Sequence, residues 1–372
     1  MRAFFKKYPI RHLWLLTDLG LLGLFLLLRQ SRAAMNAFVA HVSNPIRRTI
    51  GRLCYRVDFS VAEVLCVLLV LGAAAYVLWS AAAVARTHKG SRGRRAYGVL
   101  LGFACGALSL GAVFCWFWGA DYCTDSFQER SGVYAQPVEA EDLLRVTVYF
   151  ARQTALTADG VARDENGVFA VPREEILAYS PYAYEGAEAL FPLLTFDDVG
   201  VKPIRLSRVM SMLDFTGVYC PYTGEANVNT DSPACMLPAT AAHEMAHQRG
   251  YASEQECNFL GVLAATTCGD AAYRYSGWLM GYVYLSNALY RVSPEVYWSI
   301  RRALPETVEA DLGDNTAYWD QFRDKAPQKV ANQVYDSMLK AYGDERGIQS
   351  YGTVVDMLVA YYKDTAEKEI GS

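Results

Sequence analysis

Three long apolar runs in the first third of the chain decide most of what it can fold into. They are residues 13–28 (LWLLTDLGLLGLFLLL), 61–85 (VAEVLCVLLVLGAAAYVLWSAAAVA) and 96–120 (AYGVLLGFACGALSLGAVFCWFWGA). Inside a bilayer every backbone polar group must find its partner within the segment, so runs of this length read as spanning helices. The second and third are long and almost free of charge. The first is shorter and contains Asp18, so it needs support from its flanks and from packing; Asp18 is expected to face another span or a polar end. The expectation is three transmembrane helices over about residues 12–29, 60–85 and 96–119, forming a membrane domain of residues 1–120. A cleaved signal peptide is disfavoured, because "RQSRAAMNAF" after the first run offers no good small-residue cleavage site.

Basic residues give the expected orientation. Arg2, Lys6, Lys7 and Arg11 precede the first span, and Arg86, Lys89, Arg92, Arg94 and Arg95 crowd the loop between the second and third. The competing loop carries Arg29, Arg32, Arg47, Arg48, Arg52 and Arg56. Nine cations against six place the N-terminus in the cytoplasm by the positive-inside rule. Residues 121–372 then lie outside it, and the protein is a multi-pass component of the cell membrane with lipid as a partner. In "NPIRRTIGRLCYRV", Ile46, Ile50, Leu53 and Val57 recur at helical spacing between arginines. That pattern suits a helix lying in the interface with its charges against lipid headgroups.

Charge is split between the two parts. Up to residue 95 there are 15 Lys+Arg and 3 Asp+Glu; the rest of the chain carries a formal net charge of −16. Such a domain has nothing with which to neutralise phosphates, which argues against nucleic acid as a partner. Five cysteines (Cys123, Cys220, Cys235, Cys257, Cys268) lie in this part, in no CxxC arrangement, so at least one is a free thiol. A Cys220–Cys235 bridge and unpaired core cysteines are both open.

Residues 121–372 read as one mainly helical (α+β) domain. Residues 138–157 have helical periodicity with acids in the first turn, and 172–180 open with Pro-Arg-Glu-Glu, a helix start. Residues 271–300 and 328–363 are helical as well; the 271–292 run is apolar, but its Arg274, Ser276, Ser286, Asn287 and tyrosines suit a buried helix better than a fourth span. In "FTGVYCPYTGEANVNT" two short strands flank a turn at Pro221-Tyr222-Thr223-Gly224.

The chemistry is concentrated in "PATAAHEMAHQRGYASEQECN". Pro238 near the start and Gly250 as a left-handed stop delimit a helix. On it His243 and His247 lie one turn apart, so both imidazoles can reach one ion, and Glu244 beside them can serve as general base. The other histidines, His12, His41 and His88, all belong to the membrane part, so the second domain's entire histidine content is this pair. A third histidine ligand is therefore excluded, and so is a di-iron site with two Glu-x-x-His motifs. The third ligand is expected to be a carboxylate: Glu254 or Glu256, then Asp270, with Cys257 and Cys268 as thiolate alternatives. Ser253-Glu254-Gln255-Glu256 has the form of a capping box in which Glu256 reaches back to the Ser253 backbone. That leaves Glu254 to face the metal, with Glu256 as alternative ligand and Asn258, one turn on, placed to accept a hydrogen bond from a ligand histidine. Gly250 supplies the reversal between His247 and Glu254.

HExxH followed by a Glu-x-x-x-Asn helix resembles a gluzincin, although many gluzincins place the glutamate much farther downstream. More closely, "HEMAHQRGYASEQECNFL", "GVYCPYTGEANVN" and "VYDSMLKAYGDERGIQSYGTVVDMLVAYY" resemble the bacterial membrane proteins grouped as domain of unknown function 3810. This resemblance implies a zincin-like metallopeptidase domain behind three transmembrane helices, without an established substrate.

The functional expectation is a membrane-anchored zinc metallopeptidase, a hydrolase that attacks peptide bonds with a metal-activated water. His243, His247 and Glu254 would hold Zn²⁺ and Glu244 would act as general base. The alternative is a non-catalytic zincin-like envelope protein whose metal staples the fold or whose groove binds a partner. An intramembrane protease fits poorly, since the motif lies in a polar stretch away from any span. A peptide or protein substrate would need an edge strand, expected at Glu225, Ala226, Asn227, Val228 and Asn229, with a plain hairpin as the competing reading. An oxyanion donor is expected to be a Tyr or an Arg, with Tyr222, Tyr251 and Tyr273 all open.

Overall fold

A computed structural model describes residues 7–341 and 351–371. Arg2 and Lys6, and the middle of the expected 328–363 helical region, lie outside the described residues. The chain forms two compact units. The first comprises residues up to Arg56, Val61–Thr124 and Pro221–Gly224; the second comprises Val57–Ser60, Asp125–Cys220 and everything from Glu225.

The first unit holds three helices long and apolar enough to cross a membrane: Pro9–Leu28, Val61–Ala85 and the stretch Lys89–Gly119. Leu13, Leu68, Val70, Leu78, Leu100 and Phe103 stand exposed on them, an apolar surface that lipid can cover and water would not tolerate. Asp18 is buried and accepts a hydrogen bond from Ser109 Oγ at 2.8 Å, so its carboxylate faces the third span. The basic segment forms the helix Asn44–Cys54, with Ile46 and Leu53 exposed. Arg47 departs from the expected headgroup role. It is 3% exposed and forks onto Asp121, with Nη1–Oδ2 at 2.5 Å and Nη2–Oδ1 at 3.0 Å. A guanidinium this deeply buried needs a carboxylate, and Asp121 at the end of the third span provides one.

The second unit is mainly helical. Ala140–Ala158, Ala271–Val292 and Tyr351–Ile370 pack together through Phe150, Trp278 and Tyr362, whose rings meet at 4.9–5.8 Å. The apolar run at 271–292 is thus a buried helix of this core. Against it lie Leu237–Gln248, hereafter the motif helix, and Glu254–Thr267, the acidic helix. Both are buried on nearly every face, which suits the small alanines they carry.

Three short strands complete the unit: β1 (Lys202–Ile204), β2 (Gly217–Cys220) and β3 (Glu225–Asn229). β2 and β3 are antiparallel, Gly217 opposite Val228 and Cys220 opposite Glu225, across the expected turn at Pro221–Gly224. β1 pairs parallel on the other side, giving the order β1-β3-β2. The expectation that Glu225–Asn229 offers an edge is therefore corrected. β3 is the central strand, fully buried and hydrogen-bonded on both sides. Its polar side chains serve the sheet: Glu225 Oε1 accepts from Lys202 Nζ at 2.7 Å, Asn227 Nδ2 donates to Val218 O and Glu225 O, and Asn229 Nδ2 donates to Ser211 Oγ and Phe215 O. No disulfide joins Cys220 to Cys235.

Candidate metal centre

The motif helix presents His243 and His247 one turn apart, with ring centroids 4.9 Å from each other and planes nearly perpendicular. It ends in a tight left-handed turn. Gly250 has φ +94°, its N–H reaches His247 O at 3.0 Å, and the Tyr251 N–H reaches Ala246 O at 3.3 Å. A side chain at that φ would be strained, so glycine there makes the reversal possible. Four residues after Gly250 the acidic helix starts, and its first residue swings back to the histidines.

Glu254 Oε2 lies 3.3 Å from His243 Nε2, and Glu254 Oε1 lies 3.4 Å from His247 Nε2. One ligand atom from each residue falls within 4.8 Å of the others, the form of a cluster that could hold a metal ion. Two imidazole nitrogens and a carboxylate oxygen suit zinc, with a position left over. Burial opposes ionisation of Glu254, but His247 and His243 outweigh it and hold the carboxyl well below its ordinary range. Burial likewise opposes protonation of His247, while Cys257 and Glu254 draw it well above the usual imidazole value. The two shifts are one interaction seen from both partners: the Glu254 carboxylate and the His247 imidazole stabilise each other's charged forms.

His247 is oriented from behind. Its Nδ1 lies 2.8 Å from the Tyr251 carbonyl oxygen and 3.2 Å from Cys257 Sγ, and the thiol itself donates to that carbonyl at 3.1 Å. A backbone carbonyl fixes the ring and tautomer so that Nε2 faces forward. Asn258 was expected in this role and does not fill it. Its Oδ1 accepts from the Tyr284 hydroxyl at 2.8 Å instead, because the carbonyl of the intervening turn already occupies the histidine's second nitrogen.

Glu256 turns away from the histidines, and the expected capping box is absent: Ser253 caps the acidic helix without a side-chain hydrogen bond. The Glu256 carboxylate accepts instead from Phe127 N at 2.9 Å and Gln128 N at 3.0 Å, capping the short helix Phe127–Ser131. Burial pushes its carboxyl up, offset by those two amides.

Glu244 is 4% exposed, and its Oε2 has no hydrogen-bond partner among the described residues. Burial pushes its carboxyl up to about 7, opposed by His243 and His247 and by the Tyr219 amide. β2 runs directly over it. A Cβ placed on Gly217 would come within 2.4 Å of Glu244 Oε1 and 2.6 Å of its Cγ, so only glycine lets this strand lie on the carboxylate. Among the described residues β2 is paired to β3 on one side only, so the edge strand beside Glu244 is Gly217–Cys220.

Of the tyrosines expected as oxyanion donors, Tyr273 gives its hydroxyl to Ile176 O and the Tyr251 ring packs on Phe127, while Tyr222 belongs to the first unit and donates to Leu110 O there. Tyr335, which sequence reasoning missed, donates its hydroxyl to Glu254 Oε1. It sits on the helix Ala326–Ala341, stacked edge-on against Phe215 at 5.8 Å. Gln328 Nε2 and Asn332 Nδ2 of the same helix hold Asp214 Oδ2 at 2.8 and 3.2 Å. No local signal marks Tyr335, which lies 81 residues from its partner.

No curated protein and no solved structure matches the chain. The family described as "Protein of unknown function (DUF3810)" matches residues 38–359, which include the second and third spans, the sheet, the histidines and Tyr335. By that match over most of its length, the chain belongs to the DUF3810 family.

Proposed function

We propose that this protein is a membrane-anchored, zinc-dependent metallopeptidase with a zincin-like domain in residues 121–372. The N-terminus would be cytoplasmic and the domain extracytoplasmic, as the distribution of Lys and Arg suggests. The observation that carries the reading is Glu244: a buried carboxylate beside three convergent ligands, with one oxygen uncommitted. A site that only stapled the fold would have no use for it. His243, His247 and Glu254 would hold Zn²⁺, which when bound supplies a Lewis acid for a carbonyl and makes water acidic enough to attack at neutral pH.

The chain's own residues account for the remaining needs. Glu244 Oε2 is free to take the proton of the attacking water and later pass it to the leaving amine. An extended peptide would lie along the open side of β2, held by main-chain hydrogen bonds. The Tyr335 hydroxyl, at the ligand cluster, would donate to the carbonyl oxygen as charge develops on it. The test is to purify the full chain in detergent and measure bound metal and peptide cleavage in wild type, Glu254→Ala and Glu244→Gln. Zinc should be present in wild type and Glu244→Gln and lost from Glu254→Ala, with cleavage abolished in both variants. A wild type that binds no metal would overturn the proposal; metal without any cleavage would favour the non-catalytic envelope protein.

A further inference from the structure

Between the second and third spans lies an open groove of about 460 Å³, lined by apolar side chains such as Ala81, Ala85, Ala96 and Leu100. That volume falls in the range of sites for small organic ligands. Small residues on both helices hold the groove open. Two polar features break its apolar lining. Ser80 is 4% exposed and its hydroxyl has no partner among the described residues, an orphan that in hydrocarbon invites an acceptor. Arg92 stands at the other end, its Nε bonded to Thr87 O and its Nη2 to Ala85 O, each at 2.9 Å, with Nη1 left over. Next to it Arg95 lies over the Trp79 ring at 5.1 Å, and its Nε is likewise buried without a partner. From residue 64 to residue 120 the sequence contains no Asp or Glu, so the cations of this loop have no carboxylate of their own segment to pair with.

We propose that this groove is a binding site for one anionic glycerophospholipid of the surrounding bilayer. Arg92 and Arg95 take the phosphate, the Ser80 hydroxyl donates to an ester carbonyl, and an acyl chain fills the space between Ala81 and Ala96. Clustered basic residues at a membrane surface attract anionic lipid in general; the groove and the serine turn that attraction into a defined site. The proposal is independent of the metal centre.

The test uses the full chain in detergent micelles doped with phosphatidylglycerol or phosphatidylcholine, with retained lipid counted by native mass spectrometry. Wild type should retain one phosphatidylglycerol in preference to phosphatidylcholine by about tenfold. Arg92→Gln/Arg95→Gln should abolish that preference, and Ala96→Phe, which fills the groove, should lose the lipid altogether. Arg86→Gln/Arg94→Gln, which removes two charges of the same loop outside the groove, should leave the preference intact. Equal retention of the two lipids by wild type would overturn the proposal, as would wild-type retention in the Arg92/Arg95 variant. An equal loss in the Arg86/Arg94 variant would also overturn it, because it would mark diffuse surface attraction.

Discussion

Replacing Glu256 by alanine separates the two neighbouring glutamates more cleanly than any other change. The substitution strips the acceptors from the Phe127 and Gln128 amides, bonded at 2.9 and 3.0 Å. The Phe127 amide is buried, and a buried donor left unsatisfied costs about 1–3 kcal/mol. The Gln128 amide is partly buried and recovers some of its loss through water. Phe127–Ser131 is only 5 residues long, so losing an anion at its N-terminus removes a further ~0.3–1 kcal/mol. Against this, the mutant no longer has to bury a carboxylate that its surroundings disfavour. The balance is a destabilisation of about 2–4 kcal/mol, which for a domain of this size lowers Tm by roughly 5–15 °C.

The assay is tryptophan-fluorescence melting of the detergent-solubilised chain, with and without chelator, beside zinc stoichiometry. Glu256→Ala should melt early in both conditions yet keep its zinc. Glu254→Ala should lose zinc, and with it whatever stabilisation zinc confers, since a ligand bound only to the native state raises Tm by mass action. With chelator present, Glu254→Ala should sit closer to wild type than without it, short of it only by the lost pairing with His243 and His247. Loss of zinc from Glu256→Ala together with retention in Glu254→Ala would refute the assignment of roles and the geometry behind it.

Other substitutions probe the rest of the site. Gly217→Ala would drive a methyl group into Glu244, with Oε1 at 2.4 Å, and displace the carboxylate by about 1 Å; peptide hydrolysis should fall about 10²-fold at unchanged zinc content. Tyr335→Phe should retain zinc and lose about 10²-fold in kcat, since only the hydroxyl reaches Glu254 Oε1. Asp121→Ala removes the carboxylate onto which the buried Arg47 forks, leaving Asn44 Oδ1 as a neutral acceptor, and should destabilise the membrane unit by about 3–5 kcal/mol, read as earlier aggregation on heating in detergent. Burial pushes the Cys268 thiol up to about 12 and raises that of Cys235 as well, so at pH 8 both should resist maleimide in the folded chain and label fully after denaturation.

What could be read from the sequence is what local geometry determines. The spans follow from length and apolarity, the paired histidines from one helical turn, the reversal from Gly250, and the hairpin from its turn residues. Features that depend on distant pairing were misread. Nothing in "EANVN" announces that Lys202–Ile204, a strand of 3 residues, will cover its free side and push the edge to Gly217–Cys220. Asn258 bonds Tyr284 across 26 residues, Glu256 bonds Phe127 across 129, and Tyr335 reaches Glu254 across 81. No spacing rule extends that far.

The separation of Glu254 from Glu256 is the instructive case, because the expected capping box is absent and yet only one of the two glutamates faces the histidines. The capping box supposed that Glu256 would serve its own helix; it serves another one. The two accounts agree because both depend on helix periodicity. Residues two apart on an α-helix point about 200° away from each other. Once the turn at Gly250 sets the acidic helix beside the motif helix, one glutamate facing the histidines forces the other to the opposite side. There the buried Phe127 amide and the partly buried Gln128 amide take Glu256 as their acceptor, and Glu254 is the one of the two that faces the histidines.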